Sequence, residues 1–135
     1  MSVAALLRQC LGWLTGSAPL SNREVGNRGE AWAARQLRRQ GYRVVARNFR
    51  AAGAEIDLVA FDGATLVFIE VKLRRSLGAG SPGEAVTFHK QQRLRRAAAI
   101  FADRRGLAER PMRFDVMGIS RSGRRWQFDL IKDAF

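Results

Sequence analysis

Glu55-Ile56-Asp57-Leu58-Val59-Ala60-Phe61-Asp62-Gly63-Ala64-Thr65-Leu66-Val67-Phe68-Ile69-Glu70-Val71-Lys72-Leu73 is the stretch that decides the fold. Both halves are rich in β-branched and aromatic residues, and Asp-Gly between two such runs is the strongest short hairpin signal. A two-residue loop at Asp62-Gly63 sets Phe61 opposite Ala64, Asp57 opposite Phe68 and Glu55 opposite Glu70. Side chains alternate faces along a strand, so Ile56, Leu58, Ala60, Val67, Ile69, Val71 and Leu73 then share one apolar face. The other face carries Glu55, Asp57, Val59, Phe61, Leu66, Phe68, Glu70 and Lys72, with the four charges at the open end. A one-residue change in loop length would put Asp57 and Glu70 on opposite faces, so the cluster depends on this register.

Like charges directly across a strand pair destabilise it by roughly 0.2–1 kcal/mol. Glu55, Asp57 and Glu70 at one end therefore need a cation beyond Lys72, and a divalent metal resolves the conflict. Mg2+ takes oxygen ligands in octahedral geometry, commonly one or two carboxylates with waters and phosphate oxygens. Asp57 and Glu70 are the expected metal ligands, helped by the Val71 carbonyl, for Mg2+ or Mn2+. Such an ion polarises a phosphate and makes hydroxide available near neutral pH. Lys72 would position that water or stabilise charge on the pentavalent transition state. Composition adds to this: of 24 basic residues only Lys72, Lys90 and Lys132 are lysine. A chain that otherwise uses arginine places a compact point charge beside the acids, where a planar fork is not wanted. The D-x12-E-x-K spacing by itself is short and loose, and a strand end with solvated charges fits the same residues.

Upstream, Ser21 and Glu24 read as a capping box opening a helix over 21–40, with Gly41 just past its end. Val25, Gly29, Trp32, Ala33 and Leu37 form its inward stripe, Arg28, Arg35, Arg38 and Arg39 lie opposite, and Glu30 falls at the edge of the buried face. The remaining pattern predicts a strand at 42–49, the hairpin at 55–73, a loop at 74–86, a helix at 87–105 and strands at 112–119 and 125–131. Arg74 and Arg75 open a loop with three glycines and a proline directly after the acidic end. There they would meet a phosphate backbone, although a plain connector reads the same way. In the second helix Leu94, Ala98 and Phe101 mark the buried side, while His89, Lys90, Arg93 and Arg96 make a basic stripe suited to phosphates. Contacts of that kind position nucleic acid without reading its sequence, so the expected binding is structure-selective or non-specific. Trp126 and Phe128 read as core.

At 135 residues the chain suits a single domain, since a chain of about 150 residues buries roughly 68–70% of its unfolded surface. Cys10 is the only cysteine and His89 the only histidine, which excludes an internal disulfide, a zinc-cysteine cluster and a two-histidine metal site. The net charge of +12 calls for a polyanionic partner, nucleic acid or an anionic membrane surface. Within residues 1–20, Val3, Leu6, Leu7, Cys10, Leu11 and Leu14 recur at helical spacing, but Arg8 interrupts a run too short to span a membrane and poor as a signal peptide. That segment is an amphipathic arm or a frayed terminus ahead of a domain at 21–135, and the expected location is cytoplasmic, without membrane association.

Asn27-Arg-Gly-Glu-Ala-Trp-Ala-Ala-Arg-Gln-Leu, Gly41-Tyr42, Arg47-Asn48-Phe49-Arg50, Glu55-Ile-Asp-Leu-Val, Val67-Phe-Ile-Glu-Val-Lys, Ala85-Val86, Lys90 with Arg93-Leu94, and Phe114-Asp115-Val116 follow in order. Together, over about residues 23 to 120, they resemble the bacterial YraN-like family. That family is similar to the restriction-endonuclease-like nucleases of the PD-(D/E)xK group, including Holliday-junction resolvases. The resemblance implies an α/β fold with an αβββαβ core, its mixed central sheet flanked by helices. It implies a metal-dependent endonuclease acting on nucleic acid, DNA above all, with Glu30, Asp57, Glu70 and Lys72 catalytic and Arg74, Arg75, Lys90, Arg93 and Arg96 binding nucleic acid. Glu30 matches an acidic position on the first helix of related resolvases, where it would bond a metal-bound water or join the metal; a boundary glutamate paired with an arginine fits equally. Resolvases act as dimers, which implies a homodimer. Ala54 stands where the family usually has glycine before Glu-Ile-Asp. Two other classes stay open: a non-catalytic nucleic-acid-binding module of the same fold, and an adaptor that recruits a protein through residues 1–20.

Overall fold

A computed structural model describes residues 22–74, 86–122 and 125–135. The elements are α1 (Asn22–Arg39), β1 (Arg43–Ala51), β2 (Ala54–Asp62), β3 (Thr65–Arg74), α2 (Phe88–Arg104), β4 (Met112–Ser122) and β5 (Arg125–Ile131). The five strands form one sheet in chain order, with β3 and β4 parallel and the other neighbours antiparallel. A parallel pair cannot be joined by a tight turn, and α2 lies in the crossover that joins this one. The fold is mixed α/β, as expected, and compatible with the restriction-endonuclease-like αβββαβ core. Ser21, Arg75 and the arm at 1–20 lie outside the described residues, as do the side chains of Val25 and Arg74.

Strand alternation distributes the core to two faces. Leu66 and Phe68 of β3 pack with Leu94, Ala97, Ala98 and Phe101 of α2, whereas Val67 and Ile69 pack with Ala33, Ala34 and Leu37 of α1. The helices therefore cover opposite faces of the sheet. Gly29 brings α1 close to it: a Cβ there would lie 3.1 Å from Ile119 Cδ1 and 3.4 Å from Leu73 Cδ2. Trp32 meets Trp126 in a tilted contact and Phe128 edge-on, with centroids 5.5 and 5.9 Å apart, so those two strand residues are partly buried core, as expected.

The β2–β3 hairpin exists, but its turn is one residue further along than Asp62-Gly63. Asp62 pairs with Thr65 and Phe61 with Leu66, leaving Gly63-Ala64 as the loop and setting Val59, in place of Asp57, opposite Phe68. Gly63 has φ 59 and Ala64 is not in the left-handed region, the pattern of a type II′ turn, which wants glycine first. Asp62 is instead held in the strand, its Oδ2 accepting from Arg113 at 2.9 Å with Lys132 Nζ 3.8 Å away. Each β2 residue thus pairs with a β3 residue two positions later than expected, and an even shift preserves which side chains share a face. Ile56 departs from the expected apolar set: it packs on the α2 side while Leu58, Ala60, Val67, Ile69, Val71 and Leu73 pack on the α1 side. Residues two apart should face the same way, so alternation slips at Asp57, opposite Asn48 with its φ of 53. Ala54 opens β2 opposite Ala51 without left-handed backbone, so nothing at that position demands glycine.

Toward the turn, on the α1 face, Asp115 is completely buried. It accepts from Arg113 Nε at 2.8 Å and Nη2 at 3.0 Å, from Tyr42 Oη at 3.3 Å and from the Asp133 amide at 3.0 Å. Burial is the main cause that raises the Tyr42 hydroxyl to about 12, with the Asp115 charge next. These bonds satisfy a carboxylate that would otherwise be costly to bury.

Candidate active site

β2 and β3 pair only from Leu58↔Ile69 to the turn, yet β2 goes on pairing with β1 to Ala54 and β3 with β4 to Arg74. The two central strands therefore part where Asp57 and Glu70 stand. In that wedge Val71 N–H has no ladder partner on the β2 side and donates to Asp57 Oδ2 at 2.7 Å. A side-chain carboxylate closes the gap in the ladder, which orients Asp57 and satisfies an amide that would otherwise be costly to leave unpaired.

An open cleft of about 550 Å³ lies over the wedge, lined among others by Glu30, Glu55, Asp57, Glu70, Lys90 and Arg93. One carboxylate oxygen each from Glu30, Glu55 and Asp57 lies within 4.8 Å of the others. Glu30 Oε2 is buried and has no hydrogen-bond partner among the described residues, although Asn48 hydrogen-bonds the same carboxyl group. Burial raises Glu30 above the usual carboxylate range, and Glu55 and Glu70 add to the rise. Asp57 is pushed up to about 8, chiefly by burial and then by the charge of Glu70, against the pull of the Val71 hydrogen bond.

Glu70 is buried, 8% exposed, and its Oε1 meets Lys72 Nζ at 3.4 Å and Lys90 Nζ in a short contact. Burial lowers Lys72, and its contact with Lys90 lowers it further, outweighing Glu70. For Lys90 burial acts downward too, but bonding to Glu70 outweighs it and the net direction is up.

The expected site residues thus divide. Glu30, Asp57 and Glu70 line one cleft and Lys72 touches Glu70, while Arg93 lines the rim and Arg96 is exposed further along α2. Lys90 leaves the basic stripe for the carboxylates. Glu55 was legible as a charge at the same end but not as a neighbour of Glu30. Its nearness depends on α1 crossing the sheet at Gly29, which no local pattern reveals. Glu55 also carries an exposed ion pair, 3.1 Å from Arg50 Nε.

A mixed sheet between two helices, with acids and lysines gathered where its central strands part, defines the class of domain. The chain belongs to the Uncharacterised protein family UPF0102, whose model matches residues 29–119. It is 48% identical over 115 residues to a UPF0102 protein of Symbiobacterium thermophilum, covering 84% of this chain and 98% of the relative. Similar relatives occur in Caldicellulosiruptor saccharolyticus, at 42% over 118 residues (86% and 100%), and Geobacter sulfurreducens, at 47% over 105 residues (78% and 82%). All six acids and lysines of the cluster fall inside the matched span.

Proposed function

We propose that this protein is a nuclease that hydrolyses phosphodiester bonds of nucleic acid, DNA above all, with Mg2+ or Mn2+. The observation that carries the reading is the carboxylate group: Glu30, Glu55 and Asp57 converge with an orphaned buried oxygen on Glu30 and a raised Asp57. Hard oxygen donors gathered this closely, with only Glu55 of the three in an ion pair among the described residues, suit such an ion. Asp57 would hold it, with Glu30, Glu55 and Glu70 around it. When bound, the ion supplies a polarised phosphate and a water acidic enough to attack near neutral pH. The water oxygen adds to phosphorus, the P–O bond to the leaving nucleoside oxygen breaks, and that oxygen takes a proton, so one water is consumed per bond. Lys72 orients the water or meets charge on the phosphoryl oxygens, while Arg93, Arg96 and the net charge of +12 draw in the polyanion. No helix among the described residues is long and apolar enough to cross a membrane, and nucleic acid is the polyanion we favour.

A second reading has its own support: Glu70 is already satisfied by lysines of the same chain, as a non-catalytic binding module would need. One experiment separates them. Purified protein with Mg2+ or Mn2+ is offered linear, flapped, single-stranded and four-way-junction DNA. The nuclease cuts at least one, and Glu70→Ala and Lys72→Ala abolish cleavage while sparing binding. Absence of cleavage on all of them, with no heat of metal binding, would sink the enzymatic reading.

A further inference from the structure

Two of the chain's three lysines end on a single carboxylate oxygen. Lys72 reaches Glu70 Oε1 from two positions along β3, and Lys90 reaches the same atom from α2. The third, Lys132, lies by Asp62 toward the hairpin turn. Glu70 itself needs one cation, so the second ammonium on it is surplus to Glu70 and adds positive charge beside the other carboxylates of the cleft. A compact ammonium suits this doubly shared oxygen better than an arginine fork, whose planar geometry is matched to two acceptor oxygens. The scarcity of lysine therefore applies to position 90 as it does to position 72.

Lys90 is also set apart from the arginines of its own helix. Arg93 and Arg96 are exposed, as residues that track a phosphate backbone should be. The Lys90 side chain is 38% exposed, and its tip is on Glu70. Its backbone is anchored: Lys90 N donates to Thr87 Oγ1 at 3.2 Å, and the Gln91 side chain donates to the Val86 carbonyl at 3.0 Å. The first turn of α2 is thus tied down beside the cleft, while the four-carbon stem leaves Nζ free to swing.

We propose that Lys90 is a second lysine of the reaction centre, resting on Glu70 in the free protein and moving to the scissile phosphate of bound nucleic acid, where it meets the charge that builds on the non-bridging oxygens. This rests on the nuclease reading above. Lys72 remains with Glu70 throughout, and the departure of Lys90 leaves that carboxylate able to face a metal ion.

The test compares Lys90→Met, Lys90→Arg, Arg93→Met and Lys132→Met with wild type, each first shown by thermal unfolding to be folded. Single-turnover cleavage of a fluorescein-labelled four-way junction is measured with Mn2+ at saturating protein, and Kd for the same DNA by anisotropy in EDTA. Lys90→Met should lower the saturating rate about 100-fold or more, the scale of losing one donor to a transition-state oxyanion, with Kd changed less than about threefold. Lys90→Arg keeps the charge and should stay slow, Arg93→Met should weaken Kd, and Lys132→Met should leave the saturating rate alone. Titration with Mn2+ alone gives a second readout: Lys90→Met relieves Glu70 of one of its two lysines and tightens binding, and Lys132→Met does not. Full cleavage by Lys90→Met at saturation, with Kd weakened, would make Lys90 a backbone tracker and overturn the proposal. Unchanged Mn2+ affinity in that variant would overturn the resting contact. A wild-type protein that binds Mn2+ and DNA yet cuts no strand takes down the nuclease reading and this one with it.

Discussion

At the scale of single residues the cluster turns on Asp57. Its folded value of about 8 stands above the ordinary 3.8, so the protonated form suits the metal-free protein and the charged form strains it. The stability this contributes is complete below about pH 4 and is lost as pH rises through 8. Metal binding runs the other way, because a ligand carboxylate must first give up its proton. Thermal unfolding with and without Mg2+ should therefore show a small stabilisation near pH 6 and a larger one at about pH 8.5, and Asp57→Asn should abolish the dependence. A metal-induced shift that stayed constant over that range would contradict the assignment. The D-x12-E-x-K spacing was enough to pick out Asp57, Glu70 and Lys72. It could not reveal that Lys90 joins them, since its spacing on the helix fits a solvated stripe as well as a lysine turned to the sheet.

At the scale of elements, two close approaches build the site: the parting of β2 from β3, and the seating of α1 through Gly29. A methyl at position 29 would press on Ile119 and Leu73 by a few tenths of an ångström, an insult that the roughly 1 kcal/mol gain in helix propensity of alanine over glycine can offset. A branched side chain cannot be accommodated in that way. Gly29→Val should destabilise the fold by about 1–3 kcal/mol in urea unfolding, and by lifting α1 it should weaken Mn2+ binding although residue 29 offers no ligand. Gly29→Ala should do neither. The hairpin shows what was legible at this scale. β-branched runs flanking Asp62-Gly63 disclosed both strands, but not that Gly63 prefers the first loop position while Arg113 holds Asp62 in the ladder. Arg113 lies 51 residues further along the chain, beyond any local signal. The register was therefore two residues out, an even shift that keeps the faces of the paired residues up to Leu58↔Ile69; beyond that pair Asp57 is tied to β3 by its bond from Val71 N–H.

At the scale of the whole molecule the governing quantity is charge, 24 basic against 12 acidic residues. Some of that positive charge is spent internally: Arg113 on Asp115 and Asp62, Arg50 on Glu55, Lys72 and Lys90 on Glu70. Four of the acids are also the ones gathered in the cleft, so the polyanion-attracting surface and the metal-attracting pocket are distinct parts of one molecule. Affinity for duplex DNA should accordingly fall with salt, log K changing by about −0.9 per phosphate neutralised for each unit of log salt. Anisotropy titrations across a salt series would give the slope for wild type, Glu70→Ala and Arg93→Met. Glu70→Ala removes an anion from the pocket and no cation from the surface, so its slope should match wild type. Arg93→Met should reduce the slope by about one phosphate. If Glu70→Ala flattened the slope as much as Arg93→Met does, phosphates would be bound by the lysine cluster itself, and the division between gathering surface and reacting pocket would fail.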